Sequence, residues 1–524
     1  MTKEGKAKAG LMQRILDKVE VIGNKLPQPV TLFAILMGIT LLLSWIFGGI
    51  SVEHPGKAAG MIGKDGLPVD TIEVVNLLSR FGFQKIMTEM VSTFAAFPPL
   101  GIVLLVMLGI GVAEYTGMLT VGLRIFVSKA PRSIITFSIV VAGMLSSIAA
   151  DAGYVVLIPL GGAIFYSMGR HPLAGIGAAF AGVSGGFGAN ILPTGLDPMI
   201  AAFTEPAAQI IDPAYTVNPL SNWYFLAASV PVVGLIGTWV TEKVLVPRLG
   251  DYKPSGEIIL EEEKPISKTE RKALKWAGVA VLAMIALVLL MIIPANGLLR
   301  GEIDSVTGSR GFQPFYSSIV PIMFLIFLVA GLVYGIVAKI IKKDKDVTDM
   351  MAKSMSTMGL YIVISFVAAQ FVAYFNWSNL GSVLAVQGSG LLKDIGFTGG
   401  PLLVAFIITV SLVNLLMGSA SAKWALLAPI FVPMMMLMGF APEATQAAYR
   451  IGDSYSNILT PLLPYFPLVI VFCQKYVKDM GIGTLISMML PFSIAFAVVR
   501  IPMLLLWIWA ELPLGIEGPI YYMP

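Results

Sequence analysis

The chain has 524 residues, of which 56% are apolar and 13% charged, with a mean hydropathy of +0.83. Soluble domains carry about 25% charged residues, and this composition cannot cover a folded surface in water; a soluble protein is excluded and a polytopic membrane protein is expected. The formal net charge of +4 belongs to basic cytoplasmic loops and gives no reason to expect nucleic acid, while the single cysteine, Cys473, excludes an internal disulfide and a cysteine-based metal site.

Six Lys and Arg residues between positions 3 and 25 lead into a full span with no small-residue cleavage site behind it, so the N-terminus does not read as a cleaved signal peptide. Apolar runs of helical length recur from Thr31 to Ala510, which favours a helical bundle over a barrel. Single spans are expected at 30–50, 94–118, 223–246, 273–293, 316–341, 350–375 and 482–510. Basic residues place the N-terminus and the loops around 124–132, 248–275 and 339–353 inside, and the segments 212–222, 294–315 and 511–524 outside.

Two stretches do not read as simple spans. Residues 133–168 have a small, polar middle, Ser146-Ser147-Ile148-Ala149-Ala150-Asp151-Ala152-Gly153, and 401–440 mirror them with Gly418-Ser419-Ala420-Ser421-Ala422-Lys423-Trp424. Both are expected to be re-entrant hairpins. Segments 173–211 and 445–472 read as broken spans, because Gly185-Gly186-Phe187-Gly188-Ala189-Asn190-Ile191-Leu192-Pro193-Thr194-Gly195 and Asn457-Ile458-Leu459-Thr460-Pro461 cannot stay helical. The expected fold is an all-α polytopic membrane protein with nine transmembrane helices plus two re-entrant hairpins, N-terminus inside and C-terminus outside. The competing count makes each hairpin two full spans.

The halves match at an offset of 270: Pro159, Met168, Gly169, Pro172, Gly182 and Ser184 pair with Pro429, Met438, Gly439, Pro442, Gly452 and Ser454, and Asn190-Ile191-Leu192 pairs with Asn457-Ile458-Leu459 after a three-residue slip. Because the first hairpin enters from inside and the second from outside, the repeat is inverted. Inverted repeats with two broken helices are the architecture of secondary transporters. The chain divides into a cytoplasmic N-terminal segment (1–29), two spans with an outer loop (30–132), repeat 1 (133–211), connecting spans (212–400), repeat 2 (401–475), and a last span with an outer C-terminus (476–524).

Unpaired backbone at a helix break in hydrocarbon must be satisfied by ions, substrate, water or protein. Ser184, Asn190 and Thr194 at the first break, and Ser454, Asn457 and Thr460 at the second, offer neutral oxygens that suit sodium, with candidate sites at Asn190 and Asn457; the same residues also cap half-helices. Gln446, Arg450, Asp453 and Asn457 are spaced four, three and four, on one helical face. Their first-half counterparts Ile176, Phe180 and Val183 are apolar, and an intramembrane charge costs at least about 2.5 kcal/mol, so a functional use is expected; the structural alternative is an Arg450–Asp453 ion pair. Asp197 and Asp151 are further acids at this depth. Trp424 offers either an aromatic face to a ligand or plain packing, and His171 reads as a loop residue.

The stretches GRHPLAGIGAAFAGVSGGFGAN (169–190), GSASAKWALLAPIFVPM (418–434) and AAYRIGDSYSNILTP (447–461) closely resemble the aminobenzoyl-glutamate transporter (AbgT) family, over essentially the whole chain. The resemblance implies a homodimer of the bacterial inner membrane, and transport of p-aminobenzoyl-glutamate or export of folate-pathway metabolites and sulfonamides on a cation gradient. It implies substrate or mechanism roles for Asp197, Ser421, Trp424, Arg450, Asp453 and Pro461. Lys423 departs from the family pattern, which carries Gln there.

Arg450 presents a planar fork suited to a carboxylate and Trp424 a ring face, so an aryl acid is the expected small-molecule substrate. The expected function is secondary active transport of aryl carboxylates, coupled to sodium or protons, with no other cofactor. The alternative is an ion-coupled dicarboxylate carrier, for which Lys423 would serve as a second anion-binding cation. Asp197, with no cationic neighbour in sequence, reads as the better proton carrier; Arg450 would keep Asp453 ionised. An enzyme is disfavoured: no His-Glu-x-x-His occurs, and Arg450 replaces the first Gly of a Gly-x-Gly-Asp motif. No Walker sequence is present, and the inverted repeat argues against a channel.

Overall fold

Proline and glycine set where the helices start and stop. A computed structural model describes residues 29–53, 71–128, 130–149, 153–252, 266–302 and 310–523, and these are mostly helical. Helix α1 (Pro29–Ile46) leads to a short antiparallel pair, β1 (Ser51–Glu53) and β2 (Thr71–Glu73). Helix α2 (Arg80–Ala95) then runs into α3 (Pro98–Tyr115), interrupted where Pro98 and Pro99 cannot donate to the preceding turn. The basic stretch expected as a loop after this span instead begins as helix α4 (Met118–Ser128), followed by a bend of 110°.

Repeat 1 comprises α5 (Ile135–Leu145), α6 (Ile158–Ser167), α7 (Pro172–Phe180) and α8 (Leu196–Ala208). The connecting region holds α9 (Trp223–Val240), α10 (Lys268–Ile292), α11 (Ile319–Val337), α12 (Asp344–Thr357), α13 (Gly359–Trp377) and α14 (Leu380–Asp394). Of these α14 was not anticipated from sequence, and the single span expected at 350–375 is instead two helices, α12 and α13, divided at Met358. Repeat 2 comprises α15 (Gly399–Leu416), α16 (Ala420–Leu437), α17 (Pro442–Asn457) and α18 (Phe466–Gln474), and α19 (Ile482–Trp509) closes the bundle. Eight helices among the described residues are long and apolar enough to cross a membrane, or nine if the bent pair counts as one span.

The hairpin regions differ from each other. In the second, α15 and α16 have 18 residues each and meet at Met417–Ser419; at about 1.5 Å per residue each is about 27 Å long, enough to pass as a span. In the first, α5 ends in a 3-10 turn at Ser146–Ala149 and the return arm starts as a π turn at Gly153–Leu157 before α6. Asp151 lies outside the described residues. His171 is the N-cap of α7, its Nδ1 accepting from the Leu173 amide at 3.3 Å, and burial holds its imidazole pKa below the usual value.

The internal repeat is visible in the packing. A Cβ on Gly182 would lie 3.0 Å from the Val140 carbonyl carbon, and one on Gly452 would lie 2.9 Å from the Val410 Cβ. Both pairs are related by the offset of 270, so the same glycine admits the same close helix crossing in each half. The two largest cores interleave the repeats. One gathers Leu403, Phe406, Val410, Trp424 and Tyr449 of repeat 2 with Ile200 and Phe203 of α8; the other gathers Val140, Ile176 and Phe180 of repeat 1 with Phe466 and Val469 of α18. The distal half of each broken helix is therefore packed into the other repeat's core, which brings the two breaks together.

Candidate substrate and ion site

The first break follows α7, which loosens to π geometry over Ala181–Gly185 and then leaves helical form until Leu196. Such π turns recur at functional sites. The second break lies between Asn457 at the end of α17 and Phe466 at the start of α18. Every residue of α17 except Tyr455 is buried. A helix carrying Glu, Gln, Arg, Asp and Asn at the centre of an apolar bundle is tolerated where its polar groups find partners.

Arg450 finds one across the repeats. Its Nη1 donates to Asp197 Oδ1 at 2.6 Å, with both side chains almost fully buried. Asp197 sits in the first turn of α8, and its Oδ2 accepts from the Thr194 amide at 2.6 Å and the Thr194 hydroxyl at 3.0 Å. The carboxylate is thereby used on both oxygens. The guanidinium is not: its Nε and Nη2 are buried without a partner.

Asp453 pairs elsewhere. Its Oδ1 accepts from the Lys423 Nζ, which also donates to Asn414 Oδ1, and Lys423 is fully buried. Asn414 on α15 turns its amide nitrogen to the Asp453 carbonyl, Ser456 Oγ and Asn457 Oδ1, at 2.9, 2.7 and 2.9 Å. Two expectations from sequence are corrected here. Arg450 and Asp453 form no ion pair with each other, because each reaches a long-range buried partner on a different element. Asp197 does have a cationic neighbour, Arg450, so the ground for preferring it as the proton carrier is gone.

Trp424 is fully buried. Its ring lies 4.4 Å from that of Tyr449 at 33°, its Nε1 donates to Thr204 Oγ1 at 2.9 Å, and Tyr449 in turn donates to the Ala420 carbonyl at 2.6 Å. The free ring face expected from sequence is thus covered by Tyr449 in this conformation. Ser421 is half-buried in the first turn of α16, its hydroxyl 3.3 Å from that of Ser419. Pro461 lies in the non-helical segment of the second break.

The two breaks offer unequal oxygens. At the second, Asn457 Oδ1 is taken by Asn414, the Ser454 hydroxyl donates to the Arg450 carbonyl, and the Thr460 hydroxyl donates to the Leu415 carbonyl at 3.3 Å. At the first, Ser184 Oγ and Asn190 Oδ1 are buried and unpartnered, although Asn190 Nδ2 donates to the Phe187 carbonyl at 3.2 Å. Of the six oxygens expected from sequence, two at the first break, Ser184 Oγ and Asn190 Oδ1, are therefore unpartnered, while Thr194 serves Asp197 and the three at the second break are engaged by Asn414 and by backbone carbonyls.

Sequence reasoning missed Asn414 and Arg500. Arg500 on α19 is fully buried and donates through Nη2 to the Gly188 carbonyl at 2.6 Å. The available signal was a polar residue inside each apolar run, which in a membrane span points to function.

The profile of the AbgT putative transporter family matches residues 14–522. The chain is 38% identical to the p-aminobenzoyl-glutamate transport protein of Escherichia coli strain K12 over 499 residues, 95% of each chain. Among solved structures it is similar to the YdaH transporter of Alcanivorax borkumensis, at 40% identity and a TM-score of 0.85, covering 94% of this chain and all of that one. It is also similar to MtrF of Neisseria gonorrhoeae, described as illuminating a class of antimetabolite efflux pumps, at 46% identity and a TM-score of 0.89, covering 97% and 99%.

Proposed function

The chain belongs to the AbgT family of membrane transporters, and on that premise we propose that it is a secondary active transporter of aryl carboxylates, driven by a cation gradient through alternating access. The substrates are p-aminobenzoyl-glutamate, p-aminobenzoate or related folate-pathway metabolites, with sulfonamides as exported mimics. It works as a homodimer in the bacterial inner membrane, with its N-terminus cytoplasmic.

One observation carries this reading: Arg450 is held by Asp197 through Nη1 and keeps its Nε/Nη2 edge free in a buried site. That edge presents two parallel N–H donors, the geometry that receives a carboxylate bidentately. Asp197 orients the fork without neutralising that edge. The aryl ring lies against Trp424 once Tyr449 gives way, so the covered tryptophan fits an occluded or substrate-free state. The names of the relatives, a p-aminobenzoyl-glutamate transport protein and an antimetabolite efflux pump, fit the same acid-plus-ring chemistry. Lys423 gives the dicarboxylate alternative no support, because Asp453 neutralises it.

Sodium is the proposed coupling ion, held at the first break, where Ser184 Oγ and Asn190 Oδ1 are neutral, buried and unpartnered and unwound carbonyls are at hand. Protons are the alternative. The test is purified protein in liposomes with imposed ion gradients and radiolabelled p-aminobenzoate and p-aminobenzoyl-glutamate. Wild type should move both acids, and Arg450→Ala should weaken binding by roughly 30-fold or more, as loss of a buried charge contact costs about 2–5 kcal/mol. Normal aryl-acid binding by a correctly folded Arg450→Ala would reduce Arg450 to a structural partner of Asp197.

A further inference from the structure

Helix α19 passes the first break and carries one charged side chain along its length, Arg500. That guanidinium is fully buried. Its Nη2 is used by the Gly188 carbonyl, while Nε and Nη1 are buried without a partner. Gly188 is also where Arg500 meets α17: a Cβ there would lie 3.3 Å from Arg500 Nη1 and 2.9 Å from the Arg450 carbonyl oxygen. The Arg500 guanidinium thus lies against Gly188 on the side that meets the Arg450 backbone. Two guanidinium groups with unused donors therefore flank one helix break.

The charge around the breaks does not balance. Asp197 pairs with Arg450 and Asp453 with Lys423, and among the described residues no carboxylate pairs with Arg500. Among the described residues at the breaks, three buried cations face two buried carboxylates, which leaves one positive charge. The next buried acid, Glu443, lies seven residues before Arg450 on α17, about 10 Å along the helix, and accepts from the Tyr215 hydroxyl at 2.8 Å. An unmatched buried charge is strongly unfavourable, and a ligand that supplies the opposite charge is favoured over one that does not.

We propose that Arg500 is a second anion-recognising residue of this site, and that the preferred ligand is a dianion: one carboxylate on the Nε/Nη2 edge of Arg450, the other paired with Arg500. This deepens the aryl-acid reading and rests on it for the ring and for the carboxylate held by Arg450. A site with a buried unpaired donor rejects an analogue lacking the matching acceptor far more strongly than an apolar pocket rejects a missing methylene. The ligand is thus selected on its second carboxylate.

The experiment compares p-aminobenzoyl-glutamate, a dianion, with p-aminobenzoyl-glutamine, its monoanionic isostere, by calorimetric titration of the purified full chain. Glutarate and its monoamide serve as the pair without a ring. Wild type should prefer the dianion, and Arg500→Gln should reduce the ratio of the two affinities by ~30-fold or more. Arg500→Lys, which keeps the charge without the fork, should give an intermediate ratio, and it carries the test if the glutamine variant does not fold. Equal weakening of both ligands, with the ratio unchanged, would show a structural arginine and overturn the proposal while leaving the aryl-acid reading intact. Arg500-dependent preference for glutarate, with no binding of either aryl acid, would retain the second anion subsite and overturn the aryl-acid reading. Absence of binding by all four acids would overturn both.

Discussion

Arg450 and Asp453 stand three positions apart on α17, close enough to pair along the helix, yet each is claimed by a different element. Arg450 spans to α8 and Asp453 to Lys423 on α16. Removing one member of a buried pair leaves a naked charge, at a cost of about 3–5 kcal/mol, whereas replacing both with apolar residues can be nearly neutral. Lys423→Met and Asp453→Leu should each lower the melting temperature in detergent sharply, and the double variant should recover most of the loss. Strictly additive losses would mean that Lys423 and Asp453 do not act as a unit. Arg450→Lys should keep stability close to wild type by retaining a cation for Asp197. Its affinity for p-aminobenzoate, measured by calorimetry, should fall at least ~10-fold, because a lysine has no second donor edge.

At the scale of elements, the glycines matter through the crossings they permit. Gly182 lies against Val140 and Gly452 against Val410, in the same relation within each repeat. A methyl group added at either point must push two backbones apart, an overpacking that costs about 1–3 kcal/mol. Gly182→Ala and Gly452→Ala should therefore lower thermal stability by similar amounts, and a loss confined to one of them would mean the two crossings are not equivalent. The hairpin turns yield a topological expectation. In a Cys473-free background, cysteines at Ser147 and Ala420 should react poorly with a bulky impermeant thiol reagent from both sides if the turns lie within the membrane. Rapid labelling of either from one side in every state would make it an external loop and its arms two full spans.

For the whole molecule, the exchange of distal half-helices between the two cores makes the breaks a shared centre. Each core joins one hairpin region to a half-helix of the other repeat, an arrangement that fits the proposed alternating access about a central site. The inequality of the breaks then bears on coupling. With pH clamped, a sodium gradient should drive transport in wild type; Asn190→Ala should weaken the sodium dependence by about 10-fold. Asn457→Ala should act mainly through stability, because its oxygen already serves Asn414. Sodium-independent transport that follows a pH gradient would transfer the coupling role to protons and leave the carboxylate site standing.

The sequence by itself determined the class of protein, both helix breaks, the internal repeat and the position of Arg450, Asp453 and Asp197 on or beside the broken helices. Each is legible because it violates a local rule: glycine and proline interrupt apolar helix, and a charge in hydrocarbon stands out wherever it occurs. Partners are a different matter. That Arg450 takes Asp197, that Lys423 takes Asp453, that Tyr449 covers Trp424 and that Asn414 occupies the oxygen of Asn457 depends on which elements meet in space. Arg500 shows the boundary most plainly. In sequence it is one basic residue nine positions from the end of an apolar span, where a long side chain could snorkel to the interface; the fold instead turns it inward onto Gly188. Local chemistry fixes which residues are costly to bury, and tertiary packing alone decides what compensates them.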